Sequence, residues 1–502
     1  MTTVLLGGGD TAIADVVAVS RDGEAVALSD VARDAMARSR AVVERFSAED
    51  RPVYGLTRGL GGRVVHEVSK EERENFSRVM VLARACGAGA PLPRDAVRAA
   101  MFTRASSMAR GGAGARPLIA ETLCAMLNGG VHPWIPSIGS VGASDLALCA
   151  NMALPLFGDG RAELDGAWFD GAEAMMCAGI DIVQPLEKEG LALCAANAVS
   201  AGLGALVLHD IEHLLDLMDG IVVLSFEAFR ANPSPIDPRV VMARGAPGQA
   251  RAAQSLRHKL EGTVLFEAGG PRRVQDPISL RCVSHVHGSL RAAIDFCEPN
   301  VTVELNGAGD NPVVLERDEE ILSTGNFHTP AMAVAFDALT LAMSQTSTMV
   351  AQRVSRLLQN RFTDLPESLT RHGTTHAGLG LMSLTSETLS KEIHMLGAPA
   401  SLQDSSGYNV EDHAPMSTLA VRQARDAVDL LRQAAACELI AAAEAFDLRA
   451  PAQAAHVACA FRDTVRTIVS PLDGDRSMTH ELGTVAEAIA AGRFDACLAA
   501  EG

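Results

Sequence analysis

The chain has 502 residues, 48% hydrophobic but 4% aromatic, with a formal charge of −18 from 43 basic and 61 acidic side chains. That length exceeds one simple core and predicts two or three packed regions. With so few aromatics, Ala, Leu and Val must do the packing, which favours close-packed helices over a sandwich of short strands. The acidity argues against non-specific binding of nucleic acid and against attraction to an anionic membrane surface.

The first residues, "MTTVLLGGGDTAIADVV", carry no basic segment ahead of their short apolar run, so no signal peptide is expected there. Gly7–Gly9 lack the lysine context of a phosphate loop and read as a turn. Residues 1–115 form an expected N-terminal region in which short helical patterns alternate with Gly-rich loops, "YGLTRGLGGR" (54–63), "ACGAGAP" (85–91) and "ARGGAGAR" (109–116). Residues 116–502 read as a long helical bundle. Within them Gly190–Leu208 is uncharged and long enough to be weighed as a membrane span, but its Ala, Gly and Asn197 content reads as a buried helix. A helical pattern runs from Ala333 to Leu358 through Met343, Val350, Val354 and Leu357. A second places Ala424, Val428, Leu431, Ala435, Leu439, Ala442 and Phe446 on one face, opposite Arg425, Asp429, Arg432 and Glu438. Asp412 and Pro415 stand just ahead of it as start signals.

The ten cysteines, at 86, 124, 149, 177, 194, 282, 297, 437, 459 and 497, form no CxxC pair and several sit in apolar runs. Free thiols of a reduced, cytoplasmic protein are expected. His66, His132, His285, His287 and His328 show no metal-ligand spacing beyond the "HVH" pair, so no metal is expected and these read as packing or capping histidines. No GxSxG elbow supports a serine hydrolase.

Six blocks, in order and across nearly the whole chain, carry a resemblance: "YGLTRGLG" (54–61), "GSVGASDLA" (139–147), "EKEGLAL" (187–193), "RVQDPISLRC" (273–282), "DNPVVL…ILSTGNFH" (310–328) and "APASLQDSSGYNVEDHAPM" (398–416). Together they resemble the aromatic amino acid ammonia-lyase family, which includes histidine and phenylalanine ammonia-lyases and related aminomutases. The resemblance implies a mainly α-helical fold, a homotetramer with active sites shared between subunits, and a small-molecule substrate. It also implies a prosthetic group, MIO, which the family makes from an internal Ala-Ser-Gly: the Gly nitrogen attacks the Ala carbonyl and two waters are lost. A tyrosine base then removes the β-proton of the captured substrate.

This chain departs from that pattern at the electrophile. Where the family reads GSVGASGDLA, "GSVGASDLA" is one residue shorter, so Ala143 and Ser144 are followed by Asp145. Glycine suits the cyclisation because it permits a tight backbone and leaves the attacking nitrogen unobstructed. Polar family positions near the electrophile are also apolar here, at Ala195, Ile278 and Val410. MIO formation from Ala143, Ser144 and Asp145 is therefore not expected.

Other positions are retained. Tyr54, one of only two tyrosines, stands where the family has its base. A tyrosine must be activated before it takes a proton near neutrality, and Arg58 is placed to supply a charge or to bind substrate. Arg281 matches the family's carboxylate-binding arginine, whose fork suits a bidentate carboxylate; its bland alternative is an ion pair with Asp276. Asn326 and Phe327 match pocket-lining positions, with helix-start packing as the alternative for Phe327. Glu411 matches an acid that meets the substrate amine, or is a helix N-terminal acid. Arg84 matches a selectivity position that is histidine in some members, where an arginine would favour a second anionic group; otherwise it pairs with an acid such as Glu74.

Three readings stay open at this level. The first is a lyase-like enzyme in which Tyr54 drives an elimination or isomerisation of a small amino-acid-like or anionic carboxylate substrate without MIO. The second is a MIO-dependent ammonia-lyase or aminomutase, and the third a catalytically silent ligand-binding homologue.

Overall fold

The computed structural model describes residues 3–402 and 410–499, leaving the side chain of Glu74 outside the description. The fold is mainly helical, as its composition predicts, and it divides into two compact units built from non-consecutive segments. One comprises Met1–His209, Cys297–Asp337 and Pro399–Arg422; the other comprises Asp210–Phe296, Ala338–Ala398 and Gln423–Gly502.

The first unit contains every described strand, in four small sheets. Thr3–Leu6 pairs in parallel with Ala25–Leu28, and Ala88–Pro91 pairs antiparallel with Pro136–Ile138. His132–Pro133, Arg161–Leu164 and Ala167–Asp170 form a three-stranded antiparallel sheet, and Val313–Leu315 pairs with Glu320–Leu322. Residues 1–115 lie wholly in this unit and, among the described residues, hold four α-helices beside their loops: Ile13–Ser20, Asp30–Ala48, Lys70–Arg84 and Arg94–Met108. The Lys70–Arg84 helix starts at a capping box, in which the Ser69 hydroxyl accepts the Glu72 N–H and the Glu72 carboxylate accepts the Ser69 N–H.

The apolar stretch around Gly190–Leu208 is buried as its composition predicts, but it is not one helix. It forms Glu189–Cys194 and then Ala198–Phe229, with a break between them. The break has a physical cause: the Ala196 carbonyl accepts the Asp145 N–H at 2.8 Å, a bond that a continuous helix would have used internally. Length and composition alone would let Glu189–Phe229 cross a membrane, yet its apolar window is entirely buried within the protein. Gly190 permits close approach, because a Cβ there would lie 2.2 Å from the Ser77 carbonyl oxygen. The short helix therefore packs directly on Lys70–Arg84, and the Ser77 hydroxyl donates to the Leu186 carbonyl at 2.7 Å.

The two long patterns become the helices Pro330–Leu357 and Ser417–Arg449. In the second unit no strand occurs among the described residues, and two buried ion clusters sit among its helices. Arg353 grips Glu438 through two bonds, at 2.6 and 2.7 Å, while the Ser225 hydroxyl donates to the same carboxylate. His287, expected as a packing histidine, is fully buried on Asp219 at 2.6 Å, with Arg291 2.9 Å from the same acid.

Candidate active site

In the first unit a cavity of about 320 Å³ is bounded by Tyr54, Arg84, Ala143, Ser144, Phe327 and Glu411, with Ala195 and Asn311 also in its wall. That volume suits a small amino-acid-sized ligand.

Tyr54 sits in a loop stapled from both ends. The Val53 N–H donates to the Thr57 hydroxyl at 2.8 Å, and the Gly55 N–H donates to the Arg58 carbonyl at 3.0 Å. Gly55 has φ +67°, and a Cβ there would lie 2.4 Å from Leu191, so only glycine lets the tyrosine loop close against the Glu189–Cys194 helix. Beneath the loop, Val53 and Leu56 join Val42, Val43, Phe46, Val314 and Ile321 in one apolar cluster. The Gly61 N–H donates to the Tyr54 hydroxyl oxygen at 3.0 Å. That oxygen is an acceptor in this bond, so its own proton remains available to other partners.

Arg84 ends the Lys70–Arg84 helix, and among the described residues its guanidinium donates only to the Met80 carbonyl, at 3.3 Å. It makes no ion pair among the described residues, and the Glu74 side chain weighed as its partner lies outside them. Glu411 is exposed on the opposing segment. Asn311, not singled out by its motif alone, is also in the wall; its Oδ1 accepts from Ser323 and Thr324 at 3.2 and 3.0 Å, and its amide donors have no partner among the described residues.

The turn that carries Ala143–Asp145 is strapped on every side. Ala143 bridges antiparallel to His328, and the Ser144 N–H donates to the Phe327 carbonyl at 3.0 Å, with Ser144 at φ +62°. Asp145 is fully buried. Its Oδ1 accepts from the hydroxyls of Ser140 (2.8 Å), Ser200 (2.7 Å) and Thr418 (2.7 Å), and its Oδ2 accepts the Ser200 N–H at 2.7 Å. Ser200 lies in the first turn of Ala198–Phe229, so the carboxylate is set at a helix N-terminus, where the dipole favours an anion. Its side chain takes no part in the cavity wall.

Four candidates lie elsewhere. Arg58 is spent on Glu67 at 2.8 Å, so it supplies no free charge to Tyr54. Asp145 is caged as described. Asn326 faces a second cavity, discussed below, and donates to the Ala308 carbonyl at 3.2 Å. Arg281 ends the Ile278–Arg281 helix of the second unit and makes no ion pair among the described residues; its proposed partner Asp276 instead accepts the Asn232 N–H. Among the described residues no three His, Cys, Asp or Glu side chains cluster to hold a metal.

A model of the aromatic amino acid lyase family matches residues 11–467. The chain belongs to that family. It is 38% identical over 495 residues to a histidine ammonia-lyase of Symbiobacterium thermophilum, covering 98% of each chain. An ergothioneine-degrading ergothionase from Treponema denticola superposes with a TM-score of 0.94 at 26% identity, covering 98% of this chain and 99% of that one. A tyrosine aminomutase of Streptomyces globisporus does so with a TM-score of 0.92 at 28% identity, covering 99% and 98%. As a member of the family the protein is an enzyme of the carbon–nitrogen lyase class. The shared fold brings residues far apart in sequence, Tyr54, Ala143, Phe327 and Glu411, around one cavity.

Proposed function

We propose that the protein eliminates an amine from a small carboxylate substrate with Tyr54 as base and without building MIO. The observation that carries this reading is the state of Asp145. Its backbone nitrogen, which cyclisation would require as nucleophile, donates to the Ala196 carbonyl, and its carboxylate is tied to Ser140, Ser200 and Thr418. Turning that nitrogen onto the Ala143 carbonyl would break its bond and leave the Ala196 carbonyl without this donor, against a backbone that the caged carboxylate holds in place. The residues present do not fit the group.

An elimination needs no electrophile when the nitrogen is already a good leaving group. A quaternary ammonium qualifies: it has no lone pair to offer an electrophile, and it departs as a neutral tertiary amine. In this scheme deprotonated Tyr54 takes the β-proton, the C–H pair becomes the new C=C bond, and the C–N pair leaves with nitrogen. Arg84 holds an anionic group of the substrate through its unspent donors. The Glu411 carboxylate faces the cationic nitrogen. The product is an α,β-unsaturated carboxylate.

The ergothioneine-degrading neighbour supports testing substrates of that kind; the histidine ammonia-lyase relative, with Ala143 and Ser144 in the cavity wall here, supports a second reading as a MIO-dependent ammonia-lyase. The full-length protein should be incubated with histidine, Nα-trimethylhistidine and ergothioneine, following the ultraviolet absorbance of the unsaturated product. Turnover of a trimethylated substrate, but not of histidine, and its loss in Tyr54→Phe are expected. Turnover of histidine alone would favour the second reading.

A further inference from the structure

We propose that a second cavity in the first unit, built around Glu304, binds a small protonated alkylamine, the class of product that the elimination releases. The inference rests on the elimination reading for the source of the amine, but the binding itself does not.

The cavity, of about 420 Å³, lies along the segment that also walls the reaction cavity. The segment turns there, the His328 N–H donating to the Gly325 carbonyl at 2.9 Å. Phe327 lines the reaction cavity, while its neighbours Asn326 and His328 line this one. That segment is bridged to Ala143 through His328.

Among the described residues that line the cavity, Glu304 is the one carboxylate. Glu304 receives one hydrogen bond, from the Asn197 amide at 3.1 Å. The Asn197 Oδ1 is buried and has no donor among the described residues. Among the described residues no lysine or arginine lines the cavity. An N–H-bearing cation in the cavity would give the Glu304 carboxylate the donors it lacks. The remaining wall includes Val303, Ala331 and Met332, which suits alkyl groups on nitrogen better than the hydration shell of an alkali ion.

Burial pushes the Glu304 carboxyl up to about 7, the nearby Asp145 charge adding to this and the Asn197 bond opposing it. A carboxyl protonated at neutrality can hand its proton to a neutral tertiary amine, giving a carboxylate and an alkylammonium that then form an ion pair. The other groups facing the site are His328 and its partner His413, which share one hydrogen bond at 2.8 Å; burial and His413 both lower the His328 value. An amine already protonated in solution needs the carboxylate, so its binding should strengthen as pH rises through about 7.

The test reads the thermal midpoint of the full-length protein, without substrate, in trimethylammonium, ammonium, potassium and sodium chlorides at matched ionic strength and pH 8. Trimethylammonium should raise the midpoint saturably, by on the order of 2 °C, more than ammonium does, with no difference between potassium and sodium. The rise should shrink at pH 6, vanish in Glu304→Gln and persist in Tyr54→Phe and Glu411→Gln. Ala331→Leu, which fills the cavity from an exposed position, should abolish it too and serves if Glu304→Gln fails to fold. Equal effects of all four salts, or a rise that survives both cavity variants, would overturn the site. A rise lost in Glu411→Gln but kept in Glu304→Gln would place the amine in the reaction cavity instead. Because no turnover is read, failure of the elimination reading leaves this result standing on its own.

Discussion

The turn at 139–145 and the cavity around Glu304 each hold a carboxylate inside the same unit, and they are furnished in opposite ways. Asp145 accepts from three hydroxyls and a backbone N–H. Glu304 accepts one bond, and beside it an amide oxygen has none. A buried acid whose acceptor sites are filled is a structural tie, costly to disturb. One left short of donors holds a proton near neutrality and can exchange it or take a cation. The reaction cavity follows the second pattern, since Arg84, Asn311 and the Tyr54 proton all keep capacity unspent. In this protein, spare hydrogen-bonding capacity separates the groups fit for chemistry from those that hold the fold.

The contrast can be broken by substitution. Tyr54→Phe should lower turnover by about 10²–10⁴-fold while leaving the thermal midpoint near that of the parent, because the lost hydroxyl accepts a single N–H; steady-state rates and a melt on the same preparation decide it. Asp145→Ala should cost about 3 kcal/mol or more in denaturant unfolding, since it strands the hydroxyls of Ser140, Ser200 and Thr418 and the Ser200 N–H. A near-neutral result would show that the cage is not the tie described. Arg84→Gln should raise KM by about tenfold or more, the worth of a charge-assisted bond to an anion, with a smaller change in kcat.

The mildest effect sharpens the comparison through pH. Glu304 is raised from an unfolded value near 4.5 to about 7, so the folded state binds the extra proton between those values. The stability it contributes is complete below pH 4.5 and is lost as pH rises through about 7. Glu304→Gln should remove that decline from a plot of unfolding free energy against pH, and should not lower stability at pH 8.

Much of this was legible in the sequence, for local reasons. Helices such as Ser417–Arg449 follow from the spacing of Ala424, Leu431 and Leu439, and Gly55 advertises a turn beside Tyr54. That Tyr54, Ala143, Phe327 and Glu411 face one cavity came only through resemblance, because no spacing rule joins residues hundreds of positions apart. What pairing consumes was not legible at all. Arg58 looked available until Glu67 claimed it, and Asn326 lined a different cavity from Phe327. The interruption at 195–197 was hidden because Ala195 and Ala196 suit a helix; the Asp145 N–H, far off in the sequence, decides it. Glu304 and Asn197 are separated by 107 residues, and neither belongs to a motif that announces a site.

The most direct measurement is the intact mass of the purified full-length protein, followed by mapping of the peptide that contains Ala143, Ser144 and Asp145. An unmodified peptide is predicted, leaving elimination to Tyr54 and a nitrogen able to depart unaided. Loss of two waters located at those three residues would contradict it, and would show that the Asp145 nitrogen leaves the Ala196 carbonyl to close the ring.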